Sequence, residues 1–389
     1  TKEHKDRSDV CQTAPFALLP TPFPRKLFEQ AVKVQNVSWS CSQAFLRHYA
    51  KDVGLAQRKT LAIQRSDYMC HKDQFSCEYT LKQIEVNNIA SSMGAHAERV
   101  TKMHRRTMTE LGYDKETIEK AIPKNEPIKL IAEALYKAWY SFRELYSCSS
   151  AVILVIVEDQ NQNQIDQKHV EYALEDLGVP VDQIVRRTLT ECEQCLTLSP
   201  ERHLLLSGSR VAVVYFRAGY TPDNYPTEKE WASRLLIERS DAIKSPWIGL
   251  QVANTKKTQQ VLPLFANTKS YEMFLLICPP YSVSHAKIKV LAEDGVVERF
   301  VGHPRDAAAI RSTFAGLWAI NGDDPVTQKL IKNYLVRAMQ PVELSNVVSE
   351  LGVYGYALGD RGMPEVRQGG HLLRTKGEKV DEVSRWDSL

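Results

Sequence analysis

The hydrophobic positions of this chain change period along its length, and each change predicts a different element. Leu27, Phe28, Ala31, Val32 and Val34 fall on one side at near-helical spacing, which predicts a helix from Arg25 onward. Pro15, Pro20, Pro22 and Pro24 keep the preceding stretch non-helical. Leu130, Ile131, Ala134, Leu135, Ala138, Trp139 and Phe142 repeat the pattern and predict a second helix over Ile128 to Tyr146. Between the two, Thr60 to Ile63 and Thr80 to Asn87 alternate as strands do, and Lys102 to Arg106 reads as the solvated face of a helix.

At Ala151 the character changes. Ala151 to Val157 is an unbroken apolar run, the signature of a strand buried on both faces of a parallel sheet, and a polar loop follows from Glu158 to Gln164. Val170, Ala173, Leu174 and Leu177 then predict a helix that Gly178 and Pro180 terminate. Ile184 to Leu189 reads as the next strand, and Leu204 to Leu206 with Val211 to Phe216 as a hairpin turning at Ser207, Gly208 and Ser209. Helical spacing returns from Trp231, strand-like runs come back at Val347 to Leu358 and His371 to Arg374, and Gly369-Gly370 reads as a turn. Strands alternating with helices predict an α/β architecture.

Composition narrows what such a chain can do. Its 389 residues suit two or three lobes, and 50 basic against 47 acidic side chains leave a net charge of +3, too small a field to attract nucleic acid or an anionic membrane. The first ten residues are charged and the longest apolar run is far short of a membrane span, so the expectation is a soluble cytosolic protein. Eight cysteines without repeated spacing predict free thiols in a reducing compartment. Cys192 and Cys195 form a C-x-x-C, but no second ligand pair accompanies them, so they read as partly buried thiols.

Four segments carry candidate chemistry. Glu85 and Asn87 share one face of a strand opposite Ile84 and Val86, placing a carboxylate beside an amide oxygen, a hard oxygen site suited to Mg2+; the same pair also fits the wet face of a one-sided strand. Arg217 follows a buried strand at its carboxyl end, where open α/β sheets bind ligands, and would fork onto a substrate carboxylate or pair with a local acid. Arg65 sits two residues before Asp67 in the same two ways, and Lys256 in Thr255-Lys256-Lys257 could meet a phosphate or open a surface helix. No Walker A loop, no G-x-G-x-x-G and no G-x-S-x-G elbow is present.

Read in order, Arg65-Ser66-Asp67-Tyr68-Met69, Lys82-Gln83-Ile84-Glu85-Val86-Asn87, Ile165-Asp166-Gln167, Ala212 to Tyr220, Thr255 to Gln260, Ser349-Glu350-Leu351-Gly352 and Gly370 to Lys376 resemble the eukaryotic-type glutathione synthetases. The resemblance implies an ATP-grasp-like scaffold with an inserted α/β substrate-binding domain of parallel-sheet type: scaffold in 1–150 and 258–389, insert in 151–257. It implies ligation of γ-glutamylcysteine to glycine with ATP and Mg2+, in a cytoplasmic homodimer that binds no nucleic acid and no membrane. Glu85 and Asn87 match the family's metal ligands; Glu85, Lys256, Glu350 and Lys376 match its nucleotide side. Arg65, Ser92, Asn163, Gln167, Arg217 and Tyr220 match its dipeptide contacts, and Arg374 matches an arginine near the glycine carboxylate that would also steady charge during acyl transfer.

The chain departs from the family at several points. Ala90 stands where the family has serine, and Asn161 where an acidic substrate contact is usual. Near Asn333 to Arg337 there is no counterpart of the family's glycine-rich triphosphate loop, third metal-binding glutamate and adenine hinge, and no glycine- and alanine-rich loop follows Lys376. A break between Tyr334 and Ala338 would reconcile these gaps with a catalytic enzyme; the alternatives are a catalytically silent γ-glutamyl peptide binder or an ATP-grasp ligase with another amine acceptor.

Overall fold

The computed structural model describes residues 16–17, 19–35, 56–72, 78–161, 163–253, 303–313, 347–360 and 364–377. Lys256 and the stretch around Asn333 to Arg337 lie outside these residues. Among the described residues, two sheets carry the fold. The first is antiparallel with strand order β10-β9-β1-β2, built from β1 (Thr60–Lys72), β2 (Tyr79–Asn87), β9 (Val347–Gly359) and β10 (Glu365–Gly377). The second is mixed. In it β4 (Ile184–Arg187), β3 (Val152–Ile156), β7 (Ser209–Phe216) and β8 (Ile243–Ser245) run parallel, and β6 (Leu204–Leu206) and β5 (Leu196–Leu198) continue antiparallel beyond β7.

The unbroken apolar run at Ala151 to Val157 is explained by burial on both faces. Ile153 and Val155 pack with Val170 and Leu174 of α5 (Gln164–Asp176) and with α4 (Pro127–Tyr146). Val152, Leu154 and Ile156 pack on the opposite side with Leu189 and Cys192 of α6 (Leu189–Cys195) and Ile237 of α7 (Glu228–Arg239). Alternation is invisible there because neither face meets water. Helix α4 also joins the two sheets, since its apolar side shares one core with Leu61 and Ile63 of β1 and Tyr354 and Tyr356 of β9. The far end of the antiparallel sheet is covered by α1 (25–35), whose Leu27 and Ala31 pack on Tyr68, Leu81, Leu351 and Val353.

Several local expectations needed correction. The strand at Ile184 ends at Arg187 instead of running to Leu189, because Thr188 and Glu191 form a reciprocal capping box that starts α6. Cys192 is buried in that helix with its thiol pushed up to about 12 by desolvation, while Cys195 is half-buried; both are free. The 204–216 hairpin turns on Ser207 and Gly208 alone, both at positive φ, and Ser209 already belongs to β7. Helix α7 begins at Glu228, ahead of Trp231, and is followed by the unforeseen β8.

Gly369 and Gly370 are not a turn. They lie inside β10 at a bulge between Gln368 and His371, where Gly370 takes φ +87 and a Cβ would come within 2.5 Å of the Pro127 backbone nitrogen. The bulge lets β10 pass under the first turn of α4, and Asn125 clamps it by accepting from His371 N at 2.7 Å and donating to His371 O at 2.9 Å.

Candidate active site

In the antiparallel sheet, Arg65 lies opposite Asn87 and Asp67 opposite Glu85, and all four side chains share one face. On the other side of β1, Asp67 faces Gly352, with Glu350 two residues away on β9 and Arg374 of β10 paired to Glu350. Carboxylate oxygens of Asp67, Glu85 and Glu350 lie within 4.8 Å of one another. Like charges directly across a strand pair repel, so this arrangement needs cations. Two guanidiniums provide them. Arg65 forks onto both oxygens of Asp67 at 2.8 Å each, and Arg374 donates to Asp67 Oδ2 at 3.0 Å and to Glu350 Oε1. Asn87 Nδ2 adds bonds to Asp67 Oδ2 at 2.9 Å and Glu85 Oε1 at 3.2 Å.

The electrostatics follow from burial. Asp67 is fully buried and Arg65 only 5 % exposed. Desolvation works against the Arg65 charge, yet the Asp67 carboxylate outweighs it and raises the guanidinium above its ordinary value. Glu350 is pushed up by desolvation and by its neighbours Asp67 and Glu85, against the pull of Arg374. Gly352 makes the geometry possible: a Cβ there would sit 2.7 Å from Asp67 Oδ1 and 2.9 Å from Arg65 Cδ. Three carboxylates against two guanidiniums leave the cluster with one excess negative charge, with hard oxygen donors converging. That donor set fits a divalent cation of the Mg2+ type; Asn87, whose Nδ2 faces the carboxylates, would join it by turning its amide oxygen inward.

A second group of predicted residues gathers where β7 ends. Arg217, 3 % exposed, donates to the Ser91 carbonyl at 2.7 Å and reaches Asp166 Oδ2 at 3.4 Å, and its shielded Nε makes no hydrogen bond among the described residues. Asp166 in turn accepts from the Met93 and Ala95 amides at 3.0 and 2.8 Å, capping α2 (Gly94–Glu110) from a different helix. Burial alone would raise the Asp166 carboxyl; His96, Arg217 and the Ala95 amide hold it below the usual range. The segment Asn88 to Met93 links the two groups. Its Ser92 carbonyl accepts from Arg65 at 3.2 Å and from the Tyr354 hydroxyl at 2.7 Å, and both Ala90 and Met93 adopt left-handed backbone that side chains disfavour. Ala90 also donates its amide to the Phe216 carbonyl, tying this segment to β7 without a serine hydroxyl.

The remaining candidates divide. Asn163 sits at the start of α5, its Nδ2 3.5 Å from Asp166 Oδ2, and Tyr220 is half-exposed with its hydroxyl 3.4 Å from Glu158 Oε1. Gln167 is turned into the protein, accepting from Arg186 Nη2 at 2.8 Å, toward β4 and not toward Arg217. Lys376 lies on β10 opposite Val348, and its side chain is outside the described residues. In the sequence Asp67 reads only as a partner for Arg65, and Asp166 carries no role of its own. The period-two spacing of Arg65 and Asp67 was the available signal for the first; for the second there was none beyond its place beside Gln167.

The family model described as "Eukaryotic glutathione synthase, ATP binding domain" matches residues 1–41, 40–332 and 324–384. Glutathione synthetase of Xenopus laevis is 31% identical, covering 97% of this chain and 88% of that protein, and the Bos taurus enzyme is 29% identical with the same coverage. The Xenopus alignment spans 460 positions, more than this chain's 389 residues, so the relative carries internal segments without counterpart here. Among solved structures, a glutathione synthetase-like effector from Globodera pallida in its apo form superposes with a TM-score of 0.68 at 25% identity, covering 94% of this chain and 88% of that one.

Proposed function

Because this chain belongs to the eukaryotic glutathione synthetase family, we propose that it joins γ-glutamylcysteine to glycine at the expense of ATP, on an ATP-grasp scaffold formed by 1–150 and 258–389 with a substrate-binding unit in 151–257. The observation that carries this reading is the convergence of Asp67, Glu85 and Glu350 with Arg65 and Arg374, one hydrogen-bonded segment away from Arg217. A carboxylate is a poor electrophile. The cysteinyl carboxylate therefore takes the γ-phosphoryl group of ATP to become an acyl phosphate, the glycine amine attacks its carbonyl carbon, and phosphate leaves.

In this reading Glu85, Asn87, Asp67 and Glu350 hold Mg2+, which when bound neutralises charge on the nucleotide phosphates. Arg374 lies on two of those carboxylates, which supports a role in steadying negative charge on the acyl phosphate and the glycine carboxylate. Arg217 orients the dipeptide through a carboxylate, assisted by Arg65, Ser92, Asn163 and Tyr220. Gln167 serves this role only after leaving Arg186. Lys256 and Lys376 complete the phosphate side. Among the described residues no helix is long and apolar enough to cross a membrane; cytoplasmic residence and a homodimer belong to the same proposal.

The test is ATP consumption by the purified chain, which must depend on both γ-glutamylcysteine and glycine. Consumption with a different amine moves the activity to another ATP-grasp ligase. A second reading, a γ-glutamyl peptide binder without catalysis, is supported by the missing triphosphate loop and by the internal segments of the relatives that this chain lacks. Dipeptide binding with no ADP release, unaffected by Glu85→Ala, selects it.

A further inference from the structure

A γ-glutamyl group ends in a carboxylate and an ammonium on one carbon. A buried site for it needs a fixed cation and a fixed anion side by side, because either charge left unpaired out of water is costly. Arg217 provides the cation at the end of β7. The anion expected at position 161 is absent, since Asn161 is neutral. The structure fastens another carboxylate, that of Glu158, directly to Asn161.

Glu158 lies two residues past β3, the parallel neighbour of β7, in the crevice outside the carboxyl ends of these strands. Its Oε2 accepts from Asn161 Nδ2 at 2.5 Å, and its Oε1 accepts from Asn224 Nδ2 at 2.9 Å and from the Tyr220 hydroxyl at 3.4 Å. Asn224 also accepts from the Gly219 and Tyr220 amides at 3.0 and 3.2 Å, so the carboxylate is fastened to the segment that directly follows Arg217. The Tyr220 hydroxyl reports both charges: burial and Glu158 raise its pKa, and Arg217 opposes them. A carboxylate has about four acceptor directions, and these neighbours take three, leaving room for one more donor.

We propose that Glu158 is a specificity residue that meets the α-ammonium of a γ-glutamyl substrate, with Asn161, Asn224 and Tyr220 holding its carboxylate in place. The negative charge has moved from position 161 to position 158, one hydrogen bond away. This assignment rests on the proposed dipeptide site and adds to it the group that reads the amine.

The experiment measures binding to the full chain by calorimetry, using γ-glutamylcysteine and glutarylcysteine, which lacks only the amine. Glu158→Gln keeps the side-chain shape and an acceptor oxygen. It is expected to weaken γ-glutamylcysteine about 10- to 100-fold, the worth of one charge-assisted hydrogen bond, and to leave glutarylcysteine within about 2-fold. Adding Asn161→Glu to that variant should recover most of the loss. Equal weakening of both ligands, or none of either, overturns the assignment and leaves the dipeptide site standing. Failure of the unsubstituted chain to bind γ-glutamylcysteine overturns the site reading and this assignment with it.

Discussion

Replacing Asp67 with asparagine removes the group on which the carboxylate cluster is hung. The aspartate is fully buried and accepts four hydrogen bonds: two from Arg65, one from Asn87 and one from Arg374. In the variant, one of the two oxygens facing Arg65 becomes an NH2 opposed to a guanidinium donor. Leaving a buried charge without its partner costs about 3 to 5 kcal/mol. Part of this returns, because Glu85 and Glu350 lose a like-charged neighbour, a gain of about 1 kcal/mol for groups that retain some solvent. The net expectation is a loss of about 2 to 4 kcal/mol in unfolding free energy at neutral pH. Urea unfolding followed by tryptophan fluorescence measures it. Arg65→Met in the same background should then cost far less than it does alone, because the stranded guanidinium is gone. A loss below about 1 kcal/mol for Asp67→Asn, or strictly additive single effects, refutes the claim that the Arg65–Asp67 pair holds this face together.

Two further predictions test the scaffold. Gly370→Ala forces a side chain onto φ +87 and within 2.5 Å of the Pro127 backbone, so stability should fall by about 2 to 4 kcal/mol, read as a lower denaturation midpoint; Gly112→Ala, also at positive φ but with nothing within 4 Å, should cost only about 1 kcal/mol. Lys244 of β8 is fully buried, donates to the Ser240 carbonyl at 2.8 Å, and has its pKa lowered to about 8 by desolvation. The unfolded chain holds the extra proton between pH 8 and 10.5, so this residue favours folding increasingly as pH rises through that window. The unsubstituted chain should therefore gain up to about 3 kcal/mol relative to Lys244→Met between pH 7.5 and 10.5 in paired urea titrations; a constant difference would show that Lys244 does not titrate there.

What the sequence determined by itself was local. Period-two alternation put Glu85 and Asn87 on one face, and the Asn87–Glu85 hydrogen bond shows that face shared. Helical spacing located α4 and α5, and the unbroken apolar run marked β3 as buried from both sides. Each of these patterns depends on neighbours a few residues apart. Where the structure departs from the sequence pattern the causes are local too: Ile184 to Leu189 reads as one strand because Ile184, Val185 and Leu189 outweigh the Thr188–Glu191 cap, and Gly369-Gly370 reads as a turn because a bulge shows itself only against its partner strand.

Only the tertiary structure decided which charges meet. Asp67 and Glu85 face each other across one strand pair, Glu350 joins from β9 and Arg374 from β10, residues separated by up to 307 positions in the chain. Their convergence is a matter of register between strands, and register is set by how every apolar face along the sheet is buried. The same holds past Arg217, where parallel pairing of β3 with β7 brings Glu158 onto Tyr220 and Asn224 of the segment that follows the arginine, while the sequence pointed to position 161. The sequence names the side chains that can do this chemistry, and the register of two sheets decides which of them stand close enough to share it.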